Sequence, residues 1–139
     1  MSRKIYMTKA DIQKLKKLVD DEMDNPQDKQ HVLDLNMELM RAEIVPVDQL
    51  PGDVITMNSE VLLRVDGTEE KVSLVYPHEA NVAENRISVL SPIGTAILGY
   101  REQDRFTWSV PSGTAQVEVI KVIYQPEAAE KNAVELNGG

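Results

Sequence analysis

Cysteine is absent from the 139-residue chain. This excludes a disulfide framework, a thiolate nucleophile and a thiolate metal site. Aromatic residues are scarce, with one Trp, one Phe and four Tyr, too few to wall a ligand pocket with rings. Basic side chains are outnumbered, 15 Lys and Arg against 23 Asp and Glu, for a formal net charge of -8. Wrapping phosphates needs a cationic excess. Direct sequence-specific nucleic-acid binding is therefore not expected, and a basic protein surface is the better-matched partner. The opening segment MSRKIYMTKADI has no apolar run of the secretory type, and no stretch approaches the ~18 apolar residues of a membrane span. A cytoplasmic chain without membrane association is expected. Neither standard spacing of a glycine-rich phosphate loop occurs, and no serine has an obvious base beside it. His31 and His78 stand far apart in sequence and read as ordinary exposed residues. No catalytic residue, metal, cofactor or enzymatic activity is expected.

The chain does have 42% hydrophobic and 27% charged residues, enough to bury a core and remain soluble. Its length suits one compact domain with an appendage. Residues 1–47 read as an antiparallel helical hairpin, a short coiled coil. Thr8 is a strong N-cap, Asp11 can accept back as in a capping box, and Met7 and Ile12 have the spacing of a hydrophobic staple. Ile12, Leu15, Leu18, Val19 and Met23 recur at helical spacing. The second helix is expected to open at Asn25-Pro26 and run to about Ile44, roughly 28 Å at ~1.5 Å per residue. It carries two apolar stripes. Val32, Leu35, Leu39 and Ala42 form one; Leu33, Met37, Met40 and Ile44 form the other, nearly opposite. One suits the first helix, and the other is expected to pack elsewhere in the chain, with a partner or a weak dimer left open beside the monomer.

Residues 46–52, PVDQLPG, mark a linker, and the period then changes to that of strands. Residues 54–65, 71–76, 86–90, 105–110 and 116–124 are β-branched or alternating runs. Asp66-Gly67 and Pro111-Ser112-Gly113 are turn signals. In the last run Val117, Val119, Lys121 and Ile123 alternate against a second, largely apolar set, the pattern of a strand covered on both faces. Phe106, Trp108 and Val110 share one face and read as core. Ser91 caps a short helix that Pro92 opens and Gly99 ends. Residues 48–126 thus read as a mostly antiparallel sheet domain with one short helix, giving an α+β chain. Residues 127–139 read as a frayed tail.

The stretch SPIGTAILGYREQDRFTWSVPSGTAQVEVIKVIY resembles the C-terminal domain of the Gre factors (GreA/GreB). That domain shows Ser-Pro-Ile/Met, a small-residue helix ending near Gly, an acidic residue before a strand, Pro-x-Gly, and an EVIKVEY-like strand. Here these are Ser91-Pro92-Ile93, Ala96 to Gly99, Asp104, Pro111-Ser112-Gly113 and Glu118 to Tyr124. The segments RAEIVPVDQLPGDVITMNSEV, LVYPHEA and YQPEAA resemble the Rnk branch, the regulators of nucleoside diphosphate kinase. The resemblance covers residues 41 to about 129. It implies an FKBP-like sheet domain that docks on the coiled coil at the secondary-channel rim of bacterial RNA polymerase. It also implies a docking triplet at the start of the short helix, here Leu90, Ser91 and Pro92. Leu90 departs from the acidic or amide residue usual there. Any effect on nucleoside diphosphate kinase is expected to be indirect, since nothing here handles nucleotides.

Residues 20–28, DDEMDNPQD, gather carboxylates at the hairpin tip. Asp20, Asp21 and Glu22 close a helix, where the macrodipole disfavours them, and Asp24 follows. Gre factors carry an acidic pair at the tip of a longer coiled coil, where it helps hold a catalytic Mg²⁺ in the polymerase. For this shorter arm three readings stay open: a solvated turn, charge complementarity with basic channel walls, and Mg²⁺ delivery. The function expected from the resemblance is a polymerase-binding regulator that competes with Gre factors without stimulating cleavage. The alternatives are a true transcript-cleavage factor and, more remotely, a peptidyl-prolyl isomerase, since fold alone does not carry function.

Overall fold

The Thr8 hydroxyl opens the first helix by accepting the Asp11 N–H at 3.2 Å, satisfying one of the donors that a helix start leaves free. A computed structural model of the chain describes residues 5–24, 29–110 and 113–129. Helix α1 spans Lys9–Glu22 and α2 spans Lys29–Arg41. Ile12, Leu15 and Val19 of α1 are buried together with Val32, Leu35 and Leu39 of α2, the helical spacing through which antiparallel neighbours pack. The expected start of the second helix at Asn25-Pro26 lies outside the described residues.

The second helix ends earlier than its apolar pattern implies. Residues Ala42–Ile44 leave the helix as strand β2 and pair in parallel with β1, Ile5–Met7. Three residues are too few for a period of two to be told from a helical one. The pair closes the base of the hairpin, and Val45 N–H extends it to the Met7 carbonyl at 3.0 Å. Of the two α2 stripes, the one expected to pack elsewhere in the chain is left outside: Met37 is 62%, Met40 79% and Ile44 55% exposed.

Strands β3 (Glu60–Val65), β4 (Thr68–Val75), β5 (Arg86–Ser88), β6 (Arg105–Val110) and β7 (Gly113–Tyr124) form one sheet, ordered β5-β4-β3-β7-β6. Helix α3, Pro92–Ile97, lies between β5 and β6 in sequence. Asp66 and Gly67 join β3 to β4 with φ of 49° and 87°, the left-handed pair that a two-residue hairpin turn demands. The Asp66 carboxylate also accepts the Gln116 N–H of β7 at 2.8 Å. The expected run from residue 54 becomes a strand only at Glu60; residues 54–59 are irregular, with Ile55 N–H bonded to the Tyr100 carbonyl. The sheet is mixed rather than purely antiparallel, because β5 pairs with β4 in parallel.

The alternation expected along β7 changes phase. Leu63 faces Val119 and Leu62 faces Lys121, leaving Ile120 as an extra residue; Ile123 is a second one, between the partners of Val61 and Glu60. Such bulges reset which side chains point inward. Ala115, Val117, Val119 and Val122 are buried, while Lys121 and Ile123 are exposed. The tail reading is corrected at its start, since residues 126–129 form a helical turn and Glu127 accepts the Thr56 hydroxyl at 2.7 Å.

The hairpin and the sheet share one core. Ile5, Met7, Ile12, Leu15, Leu35 and Leu39 belong to the same buried cluster as Ile55, Met57, Leu63, Leu74, Ile97 and Leu98. At Gly99, with φ of 84°, the two lie close: a Cβ there would come within 2.1 Å of the Ile5 side chain. Only glycine combines that backbone with that approach.

Candidate functional site

The start of α3 is tied to the end of β5. Ser91 Oγ donates to the Ser88 carbonyl at 2.6 Å and accepts the Gly94 N–H at 3.1 Å. Thr95 Oγ1 donates to the Val89 carbonyl at 2.6 Å. Gly94 lets the helix sit this close, since a Cβ there would lie 2.1 Å from the Ser88 carbonyl oxygen. This webbing fixes Leu90, Ser91 and Pro92 as a rigid corner. The three residues are not equally available. Pro92 is exposed and Ser91 half-buried, whereas Leu90 is only 6% exposed and belongs to the core.

The corner borders a groove of about 400 Å³ between α2, α3 and β6. Leu90, Pro92, Thr95 and Ala96 form one wall, Thr107 and Trp108 the floor, and His31, Asp34, Met37 and Glu38 of α2 the other wall. Trp108 packs on the core yet remains half-buried, like Phe106; Phe106 stacks on Tyr100 with ring centroids 4.7 Å apart. The sequence-based triplet thus opens onto a wall contributed by the hairpin. That wall was missed because it joins residues about sixty positions apart. Its signals were the second stripe of α2, expected to pack elsewhere in the chain, and the chain's only Trp.

The carboxylates of the tip, Asp20, Asp21, Glu22 and Asp24, sit at the far end of α1 from its cap at Thr8. Asp20, Asp21 and Asp24 are exposed and Glu22 half-buried. Asp21 pairs with Lys17 one turn earlier at 3.2 Å. Among the described residues, no group of three or more His, Asp or Glu could hold a metal ion.

A different carboxylate is the perturbed one. Asp11, in the first turn of α1, is pushed up to about 6 by burial and by the Glu127 carboxylate, against a hydrogen bond from the Met57 backbone and the charge of Lys14. Its carboxylate thus reaches the sheet domain through Met57, a contact that the capping-box reading did not foresee. The buried Tyr76 hydroxyl is pushed up by burial and by Asp11, Glu79 and Glu127.

Comparison with known proteins agrees with this layout. Residues 50–124 match the family described as transcription elongation factor, GreA/GreB, C-term, and residues 3–45 match the Rnk N-terminus. A regulator of nucleoside diphosphate kinase from Escherichia coli is 43% identical over 98 residues, 68% of this chain and 72% of that protein. A transcription elongation factor GreA from Chloroflexus aurantiacus is 38% identical over 93 residues, 66% of this chain and 59% of that protein. A solved structure described as a prokaryotic transcription elongation factor GreA/GreB from Nitrosomonas europaea superposes with a TM-score of 0.73 at 34% identity, covering 88% of this chain and 100% of that one. With a capped Ser91-Pro92 helix on a mixed sheet and an Rnk-type hairpin ahead of it, this chain belongs to the GreA/GreB family of transcription elongation factors.

Proposed function

We infer that the protein is a non-catalytic regulator that binds bacterial RNA polymerase at the secondary-channel rim and competes there with Gre factors without stimulating transcript cleavage. The observation that carries this reading is a contrast between a well-held Ser91-Pro92 corner and a short arm. The Ser91-Pro92 corner is held by the Ser88, Val89 and Gly94 backbone. The arm is built on helices of 14 and 13 residues, each roughly 20 Å long at ~1.5 Å per residue. A factor anchored by that corner and extended by so short a hairpin occupies the channel entrance and leaves the catalytic metal to the polymerase. The Lys17–Asp21 pair also suits a solvated helix end better than a metal-delivering carboxylate pair.

Titration into a stalled bacterial elongation complex, reading polymerase binding and RNA length together, tests the proposal. Binding without shortening, with displacement of a bound Gre factor, is the expected result. Shortening that is lost when Asp20, Asp21 and Asp24 become Asn would overturn it in favour of a true cleavage factor. Failure to displace a Gre factor at saturation would remove the shared rim site.

A further inference from the structure

Leu33, Met37 and Met40 lie on α2 itself, at spacings of four and three residues, and all three are exposed. That is the spacing of a seam between two helices. The inner side of α2, with Val32, Leu35 and Leu39, is already buried within the chain. The flank beside the ridge carries Asp34 and Arg41, both exposed and opposite in charge. Seven residues apart, they fall nearly on one line along the helix. Asp34 accepts from Gln30 at 2.9 Å, and Arg41 gives one guanidinium N–H to Glu38 at 3.1 Å. Each keeps capacity for a second partner.

A second copy of the chain fits this face in a single register. When α2 meets α2 of the other copy antiparallel about a two-fold axis, the flank with Asp34 and Arg41 faces itself in reverse. Setting the axis between Met37 and Glu38 puts each Asp34 level with Arg41 of the other copy. At ~1.5 Å of rise per residue, the same setting drops each Met40 between Leu33 and Met37 of the other copy and brings the two Met37 side by side. The charged flank and the apolar ridge therefore require the same alignment. We propose that the outer face of α2 is a self-association surface, through which two copies pair as an antiparallel α2–α2 dimer. Methionine suits such a seam, because its unbranched, polarizable side chain adapts to the surface it meets. The dimer is weak. Two helices roughly 20 Å long bury less than the ~1,200 Å² of a stable interface, and a net charge of -8 on each copy opposes their approach. A dissociation constant on the order of 10⁻⁴ M follows, so the chain is monomeric at the micromolar concentrations of an unfolding experiment. The inference does not depend on the polymerase reading.

Sedimentation equilibrium of the full chain, from about 10 µM to about 1 mM, tests the proposal. Met37→Lys and Met40→Lys change exposed positions of α2, and Val82→Lys, at an exposed position outside the hairpin, serves as the control. The wild-type chain should dimerise as concentration rises, and each methionine variant should weaken association by about tenfold or more. Val82→Lys should leave it unchanged. Asp34→Arg and Arg41→Asp alone should each weaken it by about fivefold. An equimolar mixture of those two should associate again, since each facing pair across the axis is then opposite in charge. Association of the mixture no stronger than that of either variant alone overturns the antiparallel register. A dimer that survives both Met37→Lys and Met40→Lys lies on another surface and overturns the proposal. A chain that stays monomeric throughout also overturns it; if Met37→Lys then weakens binding to core polymerase, the ridge belongs to that partner.

Discussion

The inner and outer sides of the hairpin are made of similar residues that meet opposite surroundings. Inside, Val32, Leu35 and Leu39 are buried in a core shared with the sheet; outside, Leu33, Met37, Met40 and Ile44 face solvent. The carboxylates divide the same way. Asp11 is held at the junction with Met57 and Glu127, whereas Asp20, Asp21 and Asp24 are exposed at the other end of the helix. Residue type therefore does not decide the role. Inner residues hold the hairpin to the domain, and the outer ones, with no fold to support, remain available for contact with another molecule.

Replacing one residue on each side gives the largest separation. Leu35→Ala should cost about 3 kcal/mol, from lost transfer energy and an unfilled cavity, measured as a shift in the urea midpoint. Met37→Ala should stay within about 0.5 kcal/mol of wild type. Equal losses would mean that the outer ridge is covered in solution and would break the comparison.

The carboxylates provide a pH-dependent contrast of similar size. Asp11 titrates near 6 in the folded chain against an ordinary 3.8. Between those values the folded state keeps a proton that the unfolded chain has released. Its contribution to stability is therefore fully present below about pH 4 and is lost as pH rises through 6. Above that, the ionised group costs about 3 kcal/mol. Asp11→Asn keeps an oxygen for Met57 and removes the charge, so it should stabilise the protein by about that amount at pH 8 and by nothing at pH 4. Urea melts at the two pH values check it; a gain that does not depend on pH would show that desolvation of the carboxylate is not its origin.

The smallest effect belongs to the tip. Asp21→Asn breaks an exposed pair with Lys17, and such pairs on helices are worth about 0.3–0.5 kcal/mol. A loss of 1 kcal/mol or more would mean that the tip contributes to the core after all.

Sequence reading succeeded where one local rule decides the outcome. Thr8 had to cap a helix, Asp66-Gly67 had to turn a hairpin, and the alternation of residues 105–110 had to be a strand, and each stands where expected. It missed what depends on distant partners. The strand at Ala42–Ile44 exists because β1 lies beside it, and the inward set of β7 changes because β3 imposes two register shifts. The site divides likewise. Ser91-Pro92 was legible as a motif, but the groove needs α2, α3 and β6 together. The raised Asp11 comes first from burial at the junction and then from Glu127, more than a hundred residues away.

The parallel pairing of Ile5–Met7 with Ala42–Ile44 has a consequence for how such arms change over evolutionary time. It closes the hairpin at its root, so the helices between are a segment of adjustable length. Adding seven residues to each helix keeps the α1–α2 seam in phase and moves the tip outward by about 10 Å, without altering the Ile5 contact with Gly99. One root can therefore carry a long probe or a short plug, and the change from one to the other requires insertion and not redesign.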